Sequence, residues 1–269
     1  MTAPADLALL ERIQTQMRAV ARRQYEAVAV PPFTLFFHDT DPLPFFNYAI
    51  PDGPVAPSSD LTAPLVRLEE EFHIRHRVPR FEFVEACAPG LAAALEAHGL
   101  ALENRAQLMV CPRGKERPAP AVSGLDVATL DAATALEEFA TFLDVQRRAF
   151  SVPSPRPASE EDALSLRETL GDGCAFLGRI GGEPVATAMI QAPGDGLTEL
   201  VGVATLEAFR RRGIGGFLSF EAVRAAFARG ASLAFLSAAD ARAGRVYEAA
   251  GFSFAGHALF YRSAERPER

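Results

Sequence analysis

The 269-residue sequence has no tryptophan, five histidines and only three cysteines. Cys87, Cys111 and Cys174 are odd in number, far apart and without a CxxC pair. That pattern excludes a disulfide framework and a thiolate zinc site, and it makes a reducing cytoplasm the expected location. His73 and His76 in HIRH read as a surface feature, so no metal is expected. No apolar run approaches the roughly 18 residues that would argue for a membrane span. The opening MTAPADLALLERIQTQMRAVARR lacks the apolar stretch and cleavage site of a secretory leader. Positive charge is not in excess either. The formal net charge is −7 at pH 7, which argues against nucleic acid as the main partner, because that binding rests on Lys and Arg meeting phosphates.

Core-forming material is plentiful. Apolar residues make up 49% of the chain and charged residues 23%, enough to bury one large or two modest cores. CPRGKERPAPAVSG (111–124) combines Pro, Gly and charge and reads as a linker. It separates an expected first domain, 1–115, from a second, 116–269. The first begins with a predicted helix over about 5–28, followed by short aromatic-rich runs, FTLFFHD and FFNYAI. In the second, ATALEEFATFLDVQRRAF places Leu136, Phe139, Phe142 and Leu143 at helical spacing, and EEDALSLRETL is a further helix. CAFLGRIGGEPVATAMIQA reads as a hairpin turning at Gly181–Gly182, and TELVGVAT and ASLAFLSAA read as strands. The class is α/β, with α+β elements in a mixed sheet.

Between those last two strands stands FRRRGIGGFL (209–218), where three arginines run into three glycines. A strand, a basic glycine-rich turn and then a helix form a layout suited to an anion. The first amides of a helix lack intrahelical partners, and the helix dipole adds positive potential there. Glycines allow close approach and left-handed dihedrals. The helix is supported by an apolar stripe of Phe220, Val223, Ala226 and Phe227, with Gly230 placed to end it. Taken alone, the same turn also reads as a solvated basic loop whose glycines serve helix geometry.

Downstream, DARAGRVYEAAGF brings Ala243, Tyr247, Glu248, Gly251 and Phe252 into a second pattern. With Arg210, Gly213 and Gly215 filling (R/Q)xxGx(G/A), the sequence resembles the GNAT superfamily of acyl-CoA N-acyltransferases over about residues 122–263. Asp240 stands where the family commonly has Asn; ionised Asp accepts hydrogen bonds but does not donate them. The resemblance implies acetyl-CoA as co-substrate. The amides of Arg211, Arg212, Gly213, Ile214, Gly215 and Gly216 would cradle its pyrophosphate, with nearby arginines such as Arg210 adding charge. Its pantetheine arm would pair with the backbone of Val203, Ala204 and Thr205. Asp240 and Tyr247 would complete the cofactor contacts.

The resemblance also implies catalytic roles. Tyr247 is the family's usual proton donor to the leaving sulfur, a role compatible with a place on the apolar face of its helix. In the histone-acetylating branch the general base is a strand Glu eleven residues before the first motif residue, and 210 − 11 falls on Glu199. Side-chain alternation would put Glu199 on one face with Val201 and Val203, and the bulge that the resemblance makes frequent in this strand would change that facing. A water chain in place of one base, and an exposed strand-start glutamate, both fit the same spacing. His257 is read as structural or touching the acceptor, and Cys174 as buried filler.

The first half repeats part of this order. FEFVEACAPGLAAALEAHGLALENRAQLMV is strand, helix, Gly, strand, and aligning Gly99 on Gly251 gives an offset of 152. On that register Tyr247 maps to Leu95 and Arg210 to Ser58, so the catalytic features do not carry over. The expected protein is thus two tandem GNAT-like units, the C-terminal one complete and the N-terminal one degenerate. It would transfer an acetyl group to a primary amine of a small molecule or peptide, as a monomer or homodimer, with the acceptor loop near SVPSPRPASEED. A catalytically silent acyl-CoA-binding or regulatory module and an interaction protein docking through its aromatic N-terminal half are the competing readings.

Overall fold

The computed structural model describes residues 6–39, 41–150 and 156–263. They fall into two compact units. The first takes the chain up to Leu108 together with Ser237–Ala241 and the stretch from Phe254; the second takes Met109–Leu236 and Arg242–Ser253.

The first unit runs α1 (Leu7–Gln24), β1 (Glu26–Val30), β2 (Phe33–Phe37), β3 (Tyr48–Pro51), α2 (Thr62–Ile74), β4 (Arg80–Val84), α3 (Leu91–Ala97) and β5 (Leu100–Pro112), whose end passes into the second unit. Helix α1 starts where the Asp6 carboxylate accepts the Ala8 amide at 3.3 Å. It stops at Gln24, short of residue 28, because the alternating YEAVAV is taken up as β1, antiparallel to β2. The FFNYAI run divides between a 3-10 turn, Pro44–Phe46, and β3. Strand β2 alternates cleanly. Phe33, Leu35 and Phe37 join a core with Leu65, Leu68, Phe72, Leu91 and Leu95 of α2 and α3. Thr34, on the opposite face, accepts a hydrogen bond from Arg22 of α1 at 3.0 Å.

The second unit runs β6 (Leu125–Leu130), α4 (Leu136–Ala149), α5 (Glu160–Leu170), β7 (Cys174–Ile180), β8 (Glu183–Ile190), β9 (Leu197–Thr205), α6 (Ile214–Ala228), β10 (Leu233–Ala238) and α7 (Ala241–Ala249). Strands β6 to β9 form an antiparallel meander, and β10 joins β9 in parallel. One face is covered by α4 and α5 through Phe139, Phe142, Val145 and Ala163, packed on Ala175, Leu177 and Ala204. Helix α6 covers the other with Ile214, Leu218, Ala222 and Val223, all buried. The helices from 133–150 and 160–170 and the hairpin at Gly181–Gly182 stand as the pattern predicts. Strand β6, unforeseen, uses LDVATL to close the edge beside β7.

These units differ from a division at residue 115. The last strand, β11 (Ser253–Ser263), lies with the first unit because it pairs antiparallel with β4, Ala258 opposite Val84 and Arg262 opposite Arg80. The order α1-β1-β2-β3-α2-β4-α3-β5 in the first stretch is matched by α5-β7-β8-β9-α6-β10-α7-β11 in the later one. In each, three antiparallel strands lead through a helix to a parallel strand, then a short helix and a glycine with positive φ, 96° at Gly99 and 104° at Gly251.

In the first unit side chains of α1 bond to the ends of the parallel strands and line a cavity of about 240 Å³ with Asp52, Gly53 and Cys87. Strands β3 and β4 meet at Ala49 and Phe81. Gln14 of α1 accepts the Val84 amide at 2.9 Å, and Arg18 donates to the Pro51 carbonyl at 2.7 Å. Substituting Gln14→Leu keeps the bulk but leaves the buried Val84 amide without its acceptor. A loss of about 1–3 kcal/mol is expected, read as a lower urea midpoint for the first unit. An unchanged midpoint would mean that the amide has another acceptor.

Candidate active site

The site begins where β10 leaves β9. Their register pairs are Leu197–Leu233, Thr198–Ala234 and Glu199–Phe235, and β9 then runs on to Thr205 paired only with β8. Side-on to this opening, β9 carries a bulge. Val201 faces Met189 and Ala204 faces Thr187, so Gly202 and Val203 together oppose one residue, Ala188. Gly202 takes φ 62° there. The extra residue corrects the expected alternation. Glu199 and Val201 lie on the α4–α5 face with Met189, whereas Val203 turns to the α6 face, where its Cγ1 would stand 3.9 Å from a Cβ at Gly215.

Beyond β9, a 3-10 turn, Glu207–Phe209, leads into the basic stretch. Arg211 adopts φ 64° and Gly213 φ 84°, a pair of left-handed residues that swings the chain into α6. No side chain caps that helix. The amides of Ile214, Gly215 and Gly216 thus point out of the N-terminus without a side-chain acceptor, at the positive end of a 15-residue dipole. A Cβ at Gly215 would meet Val203 and Val246 at 3.9 and 4.0 Å. The first turn of α6 thus lies against Val203 of β9 and Val246 of α7, with bare backbone at Gly215 and Gly216.

The three arginines do different things. Arg210 donates to the carbonyls of Thr205 and Ala149, both at 3.0 Å, bracing the turn. Arg212 donates to Ala208 and lies over the Phe209 ring at 5.0 Å. Arg211 is exposed. Two guanidiniums thus hold the loop and act on an anion through their charge.

Tyr247 packs edge-on to Phe252, ring centres 6.1 Å apart. Burial pushes its phenol up to about 12. Among the described residues its hydroxyl has no hydrogen-bond partner. Glu199 is half-buried at the last paired position before the strands part, its carbonyl accepting from Gln191 at 2.9 Å. Asp240 is exposed just before α7 and groups with the first unit.

Other candidates fall elsewhere. His257 lies 3.5 Å from Glu85 and 5.0 Å from the Phe254 ring, within the first unit. Burial, then Arg105, lowers its pKa. Cys174 is fully buried, and burial pushes its thiol up to about 11. Among the described residues no His, Cys, Asp and Glu cluster could hold a metal, and no helix is long and apolar enough to cross a membrane. Residues 151–155 of the expected acceptor loop lie outside the described residues. Its end is fixed by Asp162, which caps α5 with Ser159 and takes hydrogen bonds from Arg147 and Arg156 at 3.0 and 2.8 Å. Gln146, Thr187 and Val246 were missed at the level of sequence. A glycine inside LVGVAT was the available signal of a bulge.

A β-strand parting from its parallel neighbour beside an uncapped, glycine-lined helix start is an arrangement that can take an anion. Residues 139–252 match the Acetyltransferase (GNAT) family and form a GNAT domain. The whole chain is similar to a GCN5-related N-acetyltransferase from Kribbella flavida, with 27% identity over 96% of each chain and a TM-score of 0.78. A GCN5-related N-acetyltransferase from Sphaerobacter thermophilus shares the fold at 21% identity, covering 88% of this chain and 78% of that one, with a TM-score of 0.64. A tandem GNAT protein from the clavulanic acid biosynthesis pathway does so at 16% identity, covering 88% and 79%, with a TM-score of 0.62. No curated protein matches the sequence.

The phenol of Tyr247 gives a stability test. Its folded pKa, about 12, lies above the roughly 10 of an unfolded tyrosine. Its contribution is fully present below pH 10 and is lost as pH rises toward 12. Urea midpoints should therefore fall more steeply between pH 10 and 12 for the native protein than for Tyr247→Phe. Parallel slopes would place this phenol in water.

Proposed function

We propose that the second unit transfers an acetyl group from acetyl-CoA to a primary amine by direct attack on the thioester. The observation that carries this is the bare N-terminus of α6 opening onto the point where β9 and β10 separate. Coenzyme A has the matching parts, a pyrophosphate for the amides of Ile214–Gly216 and a narrow arm to lie along Val203 and Val246. An amine must lose a proton as it attacks, and Glu199 stands on the α4–α5 face at the fork to accept it, directly or through water. The amine nitrogen bonds to the carbonyl carbon, the carbon–sulfur bond then breaks, and the thiolate leaves. Tyr247, held neutral by burial, donates a hydrogen bond to that sulfur as charge builds on it. The acceptor is an amine-bearing small molecule or peptide, and the negative net charge favours a cationic one by steering. A cytoplasmic location fits three buried free thiols.

The first unit is, in this reading, a tandem copy that has lost its cofactor site. Its element order and its Gly99 turn support that. Two further features oppose an anion. The Asp60 carboxylate already accepts the Thr62 amide at 3.0 Å at the start of α2, placing negative charge where a phosphate would sit. Gln14 and Arg18 occupy backbone groups of β4 and β3, the Val84 amide and the Pro51 carbonyl. Calorimetric titration should give one acetyl-CoA per chain, and Gly213→Glu, which adds a carboxylate and a side chain at φ 84°, should leave none. A stoichiometry of two would sink the assignment of a spent first unit, and undiminished binding in a folded Gly213→Glu variant would remove the anion loop.

The chemical step has its own test. Tyr247→Phe should lower kcat by about 10²-fold with little change in acetyl-CoA affinity, and Glu199→Gln should lower it and move the pH–rate profile. Normal turnover in both variants, while CoA binding persists, would leave the silent acyl-CoA-binding module as the better description.

A further inference from the structure

The cavity of the first unit lies beyond the ends of its two parallel strands. Asp52 follows β3 directly, and Cys87 ends the 3-10 turn, Glu85–Cys87, that follows β4. The carboxyl ends of parallel strands are where open α/β sheets collect ligands. Helix α1 lines the same cavity with Glu11, Gln14 and Arg18. Gln14 and Cys87, each 3% exposed, form its floor, whereas Glu11 and Asp52 are exposed at its rim. The volume of about 240 Å³ is below the roughly 300 Å³ at which pockets for drug-sized ligands begin. It suits a small metabolite.

The charges around this cavity do not cancel in pairs. Arg18 is half-buried, yet its hydrogen bonds go to the Pro51 carbonyl and the Thr15 hydroxyl, at 2.7 and 3.1 Å, and not to a carboxylate. Burial lowers its pKa, with Asp52 opposing. For Arg80 of the same unit burial is outweighed by the bonded Glu82 and Glu103, and its pKa rises. Gln14 uses its oxygen on the Val84 amide at 2.9 Å, so what it offers the cavity is its NH2 group. Asp52 takes the Thr34 hydroxyl on Oδ1 and keeps Oδ2 for a second donor. We propose that this cavity binds a free α-amino acid, its carboxylate on Arg18 and Gln14 and its ammonium between Glu11 and Asp52. A lone anion such as phosphate would meet the two rim carboxylates, and a lone amine would leave the half-buried guanidinium uncompensated. A zwitterion answers both with charge-assisted hydrogen bonds. All of these residues belong to the first unit, so the site does not depend on the acyl-transfer reading.

The full-length protein is screened against the standard L-α-amino acids by thermal shift, and the one that stabilises it most is titrated by calorimetry. One molecule should bind per chain. The matching amine and the matching acid (for alanine, ethylamine and propionate) should each bind at least about tenfold more weakly, as expected when a hydrogen-bonded charge is lost. Arg18→Met, which keeps the apolar stem, should abolish binding. Glu11→Gln, an exposed change, should weaken it about tenfold and decides the matter if Arg18→Met folds poorly. An amino acid bound in the second unit as an acceptor would keep its affinity in both variants, and that result would overturn the proposal. So would stabilisation by none of the amino acids, or equal binding of inorganic phosphate or of the lone amine.

Discussion

Everything in the second unit follows from β9 having a neighbour for only part of its length. Three residues pair with β10, and the remaining stretch to Thr205 is left with an open edge. An open edge inside a folded unit is costly, because unpaired amides and carbonyls away from water lack partners. The structure meets part of this cost locally. The bulge at Gly202 gives one carbonyl two side-chain donors, and Arg210 takes up the carbonyl of Thr205 at the strand's end. The first turn of α6 lies against this stretch at Val203.

The electrostatics agree with that geometry in a chain that is acidic as a whole. Positive potential at the head of α6 comes from the helix dipole and first-turn amides together with three arginines, two of which also shape the turn. Arg210 spans 61 residues to reach Ala149, tying the turn to the end of α4. Helix α2 of the first unit shows the opposite solution to the same problem, since Asp60 supplies its own anion. Two helix starts in equivalent places of a repeated element order thus differ in sign at their entrances. Asp60 ahead of α2 and Gly213 ahead of α6 mark that difference.

Much of this was legible in the chain. The periodicity of Leu136, Phe139 and Phe142, the Gly181–Gly182 turn and the glycines ahead of α6 act within a few residues of one another, so they read directly. The helix end at Gln24 did not, because YEAVAV fits either a continuing helix or a strand and only pairing with β2 decides between them. Likewise β11 looked like the last element of the second half, and its partnership with β4 depends on residues more than 150 positions away. The facing of Val203 failed for the same reason: alternation holds only until a bulge intervenes, and the partner strand defines the bulge.

The sequence by itself determined the residue types that a phosphate-binding turn and a thioester reaction require, because those demands fall on glycine, on the helix start and on single ionisable groups. It also determined most element boundaries, since caps and turns are short-range. The tertiary structure alone decided which of those residues point into one space. It tied Arg210 to Ala149, moved Val203 to the α6 face, and brought in Gln146 and Thr187, which carry no motif. Those outcomes rest on hydrogen bonds between segments 15 to 61 residues apart, and such partners exist for one another only once the chain has folded.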